Sequence, residues 1–232
     1  MEPVILREIY LIRHGESLSN IGIGTDTPEG NFDPLLSPLG EKQIESAGKY
    51  LAEKELDVLY SSGLRRAVQT AAAVAKYQPK ANEVNLMPKL CEISISPDYK
   101  GHTLDELKSL VPQAKLKYAD GIEKENFAVP DPTPWEDEAR YFNRVKEVLD
   151  YIDERYNNGE KVGIVCHAGL MTYFIFYILG YRDAQPNMDF SLYNTSITKI
   201  RFYKPGTYPY GDVIFRYINR VNHLEKYPVD KE

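Results

Sequence analysis

Short apolar runs alternate along the chain with longer segments in which apolar residues recur at helical spacing. Such runs are typical of buried strands, and the longer segments are typical of amphipathic helices. The predicted strands comprise residues 9–12, 57–60, 84–87 and 161–166, and the predicted helices comprise residues 38–51, 65–76, 104–110, 135–156 and 171–179. Strands that alternate with helices predict an α/β domain.

Two parts of the chain break this alternation. Residues 195–203 and 212–221 alternate apolar and polar positions on either side of Pro205-Gly206, which predicts a hairpin at the edge of the sheet. Around the helix at 104–110, residues 94–134 hold prolines, lysines, tyrosines and acids with weak periodicity, as is typical of a cap or lid. We therefore expect residues 1–232 to form a single domain with a cap insertion at about 94–134.

The composition narrows the classes of partner. The chain has 232 residues and is 43% hydrophobic, so it is long enough for one sizeable core. Its 28 Lys and Arg against 34 Asp and Glu give a net charge of −6, which provides no global attraction for nucleic acid or a membrane surface. Its first residues include acids and no long apolar segment. We expect a cytoplasmic protein without nucleic-acid or membrane partners, in which any phosphate site is a local basic pocket.

The first strand ends abruptly at Arg13-His14-Gly15, where the chain turns polar. Open α/β sheets bind their ligands at the carboxyl ends of strands, and the N–H groups of a following helical turn can bind an anion. Arg13 adds a forked cation. A neutral His14 could attack phosphorus with one ring nitrogen while an acceptor holds the proton of the other. These residues alone leave open a histidine that only caps the turn.

Three further strand ends carry candidate chemistry. Arg65 and Arg66 open the helix after the second strand, where the helix dipole disfavours cations unless an anion is bound; we expect Arg66 to face that anion and Arg65 to be solvated. Glu92 follows the third strand and could protonate a leaving oxygen. His167 follows the strand 161–166 and repeats the order of strand, histidine, glycine and helix. A surface glutamate and a core histidine are the alternatives.

Other residue types add little chemistry. Ser17 and Asn20 lie one turn apart after the first strand, so both could reach a phosphate. Histidine and cysteine spacings match no metal motif, and no dinucleotide or Gly-x-Ser-x-Gly motif occurs. We therefore expect no metal and no cofactor. Cys91 and Cys166 are expected to be reduced thiols without a catalytic role.

Three motifs together resemble the histidine phosphatase superfamily, in its phosphoglycerate mutase-like branch. They are Leu11-Ile12-Arg13-His14-Gly15-Glu16, the Arg65-Arg66-Ala67-Val68-Gln69-Thr70-Ala71 run with its preceding Ser61-Ser62-Gly63-Leu64, and Val165-Cys166-His167-Ala168-Gly169. The stretch from Trp135 to Arg144 is similar to a further family segment. The resemblance implies a three-layer fold with a mostly parallel sheet, helices on both faces and a small cap.

The resemblance also implies roles for the candidate residues. His14 would accept the phosphoryl group as a phosphohistidine, and Glu92 would protonate the leaving group and then activate water. Phosphate binding would fall to the remaining candidates, which are Arg13, Arg66, His167, Asn20 and Ser17.

The resemblance favours hydrolysis over phosphoryl transfer between substrates. Phosphoglycerate mutases follow the second histidine with Gly-Asn-Ser, whereas Ala168-Gly169-Leu170 follows His167 here. We therefore expect a phosphomonoester hydrolase that acts on a small molecule. A primed phosphoglycerate mutase and a phospholigand-binding regulatory protein remain alternatives. The substrate is not predicted, and a homodimer through the edge hairpin is possible.

Overall fold

Seven strands form one sheet within the residues that the computed structural model describes, which are 2–96, 99–122 and 138–224. Their order across the sheet is β4-β3-β2-β5-β1-β6-β7. The strands are β1 (Ile5–Arg13), β2 (Val58–Ser61), β3 (Glu83–Leu86), β4 (Lys115–Tyr118), β5 (Glu160–Cys166), β6 (Ile197–Tyr203) and β7 (Val213–Arg220). The α-helices are α1 (Pro28–Phe32), α2 (Pro38–Ala52), α3 (Arg65–Ala75), α4 (Leu104–Leu110), α5 (Glu138–Arg155) and α6 (Ala168–Ile178), and short 3-10 turns span Leu18–Ile21, Pro88–Leu90 and Asn222–Leu224.

Side chains of the central strand alternate between two cores on opposite faces of the sheet. Ile9 and Leu11 pack with buried residues of α5 and α6, such as Phe142 and Phe174. Tyr10 and Ile12 pack with α2 and α3 on the other face. Because a strand side chain reverses direction at every residue, one continuous apolar run supplies both cores. The three-layer α/β architecture is confirmed.

The register of β1 and β5 brings the two strand-end histidines together. These strands are parallel, and Arg13 pairs with Cys166 at their carboxyl ends. His14 follows Arg13 and His167 follows Cys166, so the two histidines leave the sheet at the same level. Strand β2 pairs with the other edge of β5 through Ser61 and Val165, which brings the turn before α3 to the same place.

Several predicted elements are confirmed with small shifts in their ends. Ser37 caps α2 by accepting a hydrogen bond from the Gly40 N–H, with Pro38 in the first turn. The helix at 104–110 is present, and β6 and β7 form the antiparallel edge hairpin. Of the predicted helix 135–156, the first three residues lie outside the described residues.

Two elements differ from the prediction. Helix α1 (Pro28–Phe32), which Thr27 caps, lies where no element was predicted. Residues 115–118, which the sequence analysis placed in the cap, instead form β4 and pair in parallel with β3 at the edge of the sheet. Their alternating Lys-Leu-Lys-Tyr sequence is too short and too charged to stand out as a strand. The remainder of the 94–134 cap stays a prediction, and residues 97–98 and 123–134 lie outside the described residues.

Candidate active site

His14 is held by its backbone directly after β1. Its N–H donates to the Cys166 carbonyl at 3.0 Å. Its carbonyl accepts from the Thr195 N–H at 3.1 Å and from Asn194 Nδ2 at 3.2 Å. The side chain is buried at 3% exposure. Contacts from two other strand ends therefore fix this residue where the central strands meet.

The ring of His14 has one tautomer that fits its neighbours. Nδ1 lies 2.7 Å from the Gly15 carbonyl, and Arg66 donates from Nε to Nε2 at 3.2 Å. An arginine can only donate, so Nε2 carries the lone pair and Nδ1 carries the proton. Burial, and then the charges of Arg66 and Arg13, hold the pKa of His14 well below its ordinary value. The imidazole is therefore neutral, with a nucleophilic Nε2.

Glycine at position 15 is required by a close approach of α2. A Cβ on Gly15 would lie 2.6 Å from Ile44 Cγ2 and 3.0 Å from the Gly40 carbonyl oxygen. Its N–H donates to Thr70 Oγ1 at 3.0 Å, and Thr70 in turn donates to the Arg66 carbonyl. The turn after the nucleophile is thus locked to the helix that carries Arg66.

The backbone N–H groups after His14 are not available to a phosphate, contrary to the prediction. Those of Gly15, Glu16 and Ser17 donate to the side chains of Thr70, Gln43 and Asn20, respectively. The Leu18 N–H donates to the Leu35 carbonyl. Except for Asn20, the acceptors come from distant parts of the chain, so local sequence could not reveal them. Side chains must therefore provide the donors for a phosphate.

Arg66 is buried in the first turn of α3, at 7% exposure. Besides binding His14, it donates from Nη1 to the Phe32 carbonyl at 2.9 Å. The prediction that Arg65 is solvated is wrong: its side chain is 17% exposed and pairs with Glu29 at 2.7 Å, and its guanidinium also donates to the Asp33 carbonyl. The carboxylate of the fully buried Asp33 accepts from the Arg65 N–H. Arg65 therefore anchors the segment that contacts Arg66.

His167 faces His14, with 5.1 Å between ring centroids. Its Nε2 lies 2.9 Å from Ser62 Oγ, which accepts from the Leu64 N–H. The Ser62 hydroxyl can thus donate to Nε2, and Nδ1 then carries the proton. Within the described residues this buried Nδ1 has no hydrogen-bond partner. Burial and the charge of Arg66 hold the pKa of His167 well below its ordinary value, so it offers a neutral N–H donor.

Glu92 lies just beyond the 3-10 turn at Pro88–Leu90 and reaches the first turn of α6. Oε1 accepts from the N–H groups of Ile93 at 2.9 Å and Leu170 at 3.1 Å, and Oε2 accepts from Gly169 at 3.3 Å. A Cβ on Gly169 would lie 2.8 Å from Oε1, so glycine permits this approach. The contacts link the carboxylate to the helix that begins at His167.

The remaining phosphate-site candidates lie on the same edge of the sheet. Arg13 is half-buried and donates from Nη1 to the Leu192 carbonyl. Asn20 is exposed, and its Oδ1 accepts from the N–H and the hydroxyl of Ser17, both at 3.0 Å. The fully buried Ser17 therefore orients Asn20, and direct phosphate binding by Ser17 stays a prediction. Asn194 Nδ2 lies 3.2 Å from Asn20 Oδ1 and joins this pair to the His14 carbonyl.

Sequence reasoning missed Ser62, Asn194 and the backbone role of Thr195. Ser62 had a usable signal, because a hydroxyl residue stands at a strand end one position past β2. Thr195 has a φ of 57°, a left-handed conformation that is uncommon for a β-branched residue and gives no signal in the sequence. Among the described residues, no group of three His, Cys, Asp or Glu side chains is arranged to hold a metal ion.

A neutral histidine with a lone pair on Nε2, grouped with a second histidine, two arginines and a carboxylate, is an arrangement typical of enzymes of phosphoryl-group chemistry. Comparison with known proteins agrees. The family model of the histidine phosphatase superfamily (branch 1) matches residues 9–209, and the chain belongs to that family. With this membership and relatives named as phosphatases, the protein is a phosphatase.

Two curated relatives and one solved structure illustrate the likeness. Phosphoserine phosphatase 1 of Hydrogenobacter thermophilus is 29% identical over 75% of this chain and 76% of that protein. Glucosyl-3-phosphoglycerate phosphatase of Mycolicibacterium vanbaalenii is 31% identical over 50% of this chain and 48% of that protein. The phosphoserine phosphatase of Entamoeba histolytica, in complex with 3-phosphoglyceric acid, superposes with a TM-score of 0.60 at 25% identity, covering 94% of this chain and 100% of that one.

Proposed function

We propose that the protein hydrolyses small-molecule phosphomonoesters through a phosphohistidine on His14. The observation that carries the proposal is the contact between Arg66 Nε and His14 Nε2. It shows a lone pair on a neutral nitrogen that faces a buried cation, which is the arrangement needed to attack a bound phosphoryl group. The substrate then takes over the Arg66 donor through one of its phosphoryl oxygens.

The proposed reaction has two displacements at phosphorus. In the first, His14 Nε2 forms the N–P bond while the bond from phosphorus to the leaving oxygen breaks, and Glu92 gives its proton to that oxygen. In the second, water forms a new P–O bond, the N–P bond breaks, and Glu92 takes the proton of the water. The proton stays on Nδ1 throughout, donated in a hydrogen bond to the Gly15 carbonyl, so the neutral imidazole is regenerated.

We propose that Arg13, Arg66 and the N–H of His167 bind the phosphoryl oxygens, with Asn20 and Ser17 on the substrate side. Preorganised donors of this kind stabilise the charge that develops in the transition state, and removing one typically slows turnover by about 10²- to 10³-fold. These side chains replace the backbone N–H groups that are engaged elsewhere. No cofactor is part of this proposal.

Within the described residues, no helix is both long and apolar enough to cross a membrane. The net charge of −6 provides no global attraction for nucleic acid, and the setting under consideration is the cytoplasm without a nucleic-acid partner. We propose this setting. If the protein forms a homodimer, the β6–β7 edge is the surface that we propose for it. The relatives point to phosphorylated carboxylic acids such as phosphoserine as the first natural compounds to test.

The test is to mix the wild type and His14→Ala with p-nitrophenyl phosphate without added metal, and to record nitrophenolate release and intact mass. We expect turnover with a transient phosphoryl adduct in the wild type and neither in the variant. Wild-type protein that neither turns over nor takes up phosphate would contradict the proposal. Activity only with 3-phosphoglycerate and a bisphosphoglycerate primer would indicate a mutase, and phosphate binding without any turnover would indicate a regulatory protein.

A further inference from the structure

Arg144 is a buried guanidinium that the proposed reaction does not use. It lies on the buried face of α5 at 8% exposure. Its Nε and Nη2 are buried and have no hydrogen-bond partner within the described residues. Its ring contact is Tyr141, with 5.4 Å from the guanidinium carbon to the ring centroid. A buried arginine without an anion is costly, so this side chain requires a negatively charged neighbour.

The neighbours of Arg144 along the helix locate that anion. Tyr141 and Glu147 lie three residues before and after Arg144, hence on the same face of α5. The Tyr141 hydroxyl accepts from the Ser94 N–H at 3.2 Å, and Glu147 pairs with Lys89. Ser94 and Lys89 flank Glu92 in the sequence. Arg144 is therefore held opposite the segment that carries Glu92.

The charges around Arg144 leave one candidate partner. The groups that favour its charged form are Cys91, Glu92, Tyr141 and Cys166. Burial raises the pKa of Cys91 to about 12 and that of Cys166 above this range, so both thiols are neutral near pH 7. The Tyr141 hydroxyl already accepts from the Ser94 N–H. Glu92 is the one carboxylate of the four.

We infer that Arg144 is a positioning residue that stabilises the Glu92 carboxylate after each proton donation. This inference rests on the proposed function, in which Glu92 gives a proton to the leaving oxygen and later takes one from water. A cation beside a carboxylate favours its ionised form. Arg144 thus stabilises the anion that proton donation leaves behind in the first step, the same carboxylate that accepts the proton of water in the second.

The strained backbone after Glu92 supports a fixed position for this carboxylate. Ser94 has a φ of 57°, in the left-handed region that few residues other than glycine adopt. The contact from Tyr141 holds this turn against α5, one helical turn from Arg144. On the opposite side, the N–H groups of Gly169 and Leu170 bind the Glu92 oxygens. The segment that carries Glu92 is therefore tied to α6 by the carboxylate and to α5 by Ser94.

The experiment compares pH profiles of wild type, Arg144→Met and Arg144→Lys, using p-nitrophenyl phosphate turnover and decay of the phosphoryl adduct by intact mass. We expect the acid limb of adduct hydrolysis to move to higher pH by about one unit or more in Arg144→Met. Arg144→Lys keeps a charge and should stay closer to wild type. Arg155→Met, on the same helix but exposed, is the matched control and should leave the profile unchanged.

His167 and Arg66 also lie near this charge, so the route of the effect needs its own control. In a Glu92→Gln background, Arg144→Met should leave the pH profile of the remaining activity unchanged. If Arg144→Met still shifts that profile, the effect acts through His167 and the inference is overturned. The inference is also overturned if Arg144→Met leaves the acid limb of adduct hydrolysis in place and only lowers the melting temperature or raises KM. If Arg144→Met does not fold, Arg144→Gln is used in its place for the same measurements.

The phosphoryl adduct on His14 distinguishes failure of the proposed function from failure of the inference about Arg144. If the wild type forms no phosphoryl adduct on His14, the proposed function fails and takes this inference with it. If the adduct forms and its hydrolysis has the same pH dependence with and without Arg144, the inference fails and the proposed function stands.

Discussion

Arg66 donates a hydrogen bond from Nε to the Nε2 atom of His14 at 3.2 Å, between two buried side chains. This contact joins the end of β1 to the start of α3, across 52 residues of sequence. It selects the tautomer of His14 and places a cation beside the attacking nitrogen. In the proposed reaction Arg66 exchanges this bond for one to a phosphoryl oxygen. Binding of the phosphoryl group and release of the His14 Nε2 lone pair are therefore coupled at one guanidinium.

Replacement of the two adjacent arginines should separate catalysis from stability. Arg66→Met should lower kcat by about 10²- to 10³-fold, because it removes a donor to the phosphoryl oxygens. Arg65→Met should chiefly lower the free energy of unfolding, by about 1–3 kcal/mol, since it removes the side-chain donor to the Asp33 carbonyl and the cation beside its buried carboxylate. Steady-state kinetics and urea unfolding of both variants provide the measurement. Equal kinetic losses in the two would contradict the assignment.

Ser62→Ala tests whether a hydroxyl sets the tautomer of His167. Without the Ser62 hydroxyl, Nε2 of His167 has lost its partner and the proton is free to move from Nδ1. We expect kcat to fall by about tenfold, the loss of about 1.4 kcal/mol from one well-placed donor. The neighbouring Ser61→Ala, whose hydroxyl donates to the Ser62 carbonyl, is the control and should leave kcat within about twofold. A neutral result for Ser62→Ala would show that His167 needs no such partner.

Gly169→Ala should displace Glu92 without removing it. The added methyl would lie 2.6 Å from Ile93 Cγ1 and 2.8 Å from Glu92 Oε1. Since Glu92 and Ile93 must shift, we expect a loss of kcat approaching that of Glu92→Gln, in the range of about 10²- to 10⁴-fold for a general acid and base. Kinetics on p-nitrophenyl phosphate and on an alkyl phosphoester such as phosphoserine measure this. Wild-type rates in Gly169→Ala would mean that the contact has no catalytic role.

The buried histidines predict a loss of stability in acid. Burial and nearby arginines lower the pKa of His14 in the folded state, whereas the unfolded chain titrates near 6.5. Below about pH 6.5 the unfolded state therefore binds more protons, and the free energy of unfolding falls as the pH falls, by up to about 1.4 kcal/mol per pH unit for one such group. Urea unfolding at pH 5, 6 and 7 measures the slope, and His14→Gln should reduce it. An unchanged slope would contradict a neutral, buried His14.

His223 contributes to the same slope independently of catalysis. Burial lowers its pKa to about 4, and its Nε2 lies 3.0 Å from the hydroxyl of Thr195. His223→Gln should therefore also reduce the loss of stability between pH 6.5 and 4, while kcat near pH 7 changes by less than about threefold. Unfolding and turnover measured on the same preparation check both expectations. A large fall in kcat would instead show that the Thr195 backbone, and through it the His14 carbonyl, depends on this contact.

The order of the elements and the location of the site could be read from the sequence. Apolar runs that end at His14 and His167 identify strand ends, and the alternation with helices places those ends on one edge of a sheet. Both strands end at the residue directly before a histidine, so parallel pairing of their last residues brings the two histidines to the same level. The Arg13–Cys166 pairing and the 5.1 Å between the ring centroids are the form that this proximity takes in the structure.

The tertiary structure alone decided which groups remain free to act. The N–H groups after His14 are bound by Thr70, Gln43 and Asn20, and Arg65 is paired with Asp33 and Glu29. Helix α5, which carries Arg144, contacts the segment that carries Glu92. In each of these contacts the partner is remote in sequence or, as with Asn20, is brought close by a turn of the backbone. Strand and helix periodicity report which side of an element is buried, whereas hydrogen bonding and charge pairing depend on atoms that meet only after the layers have packed.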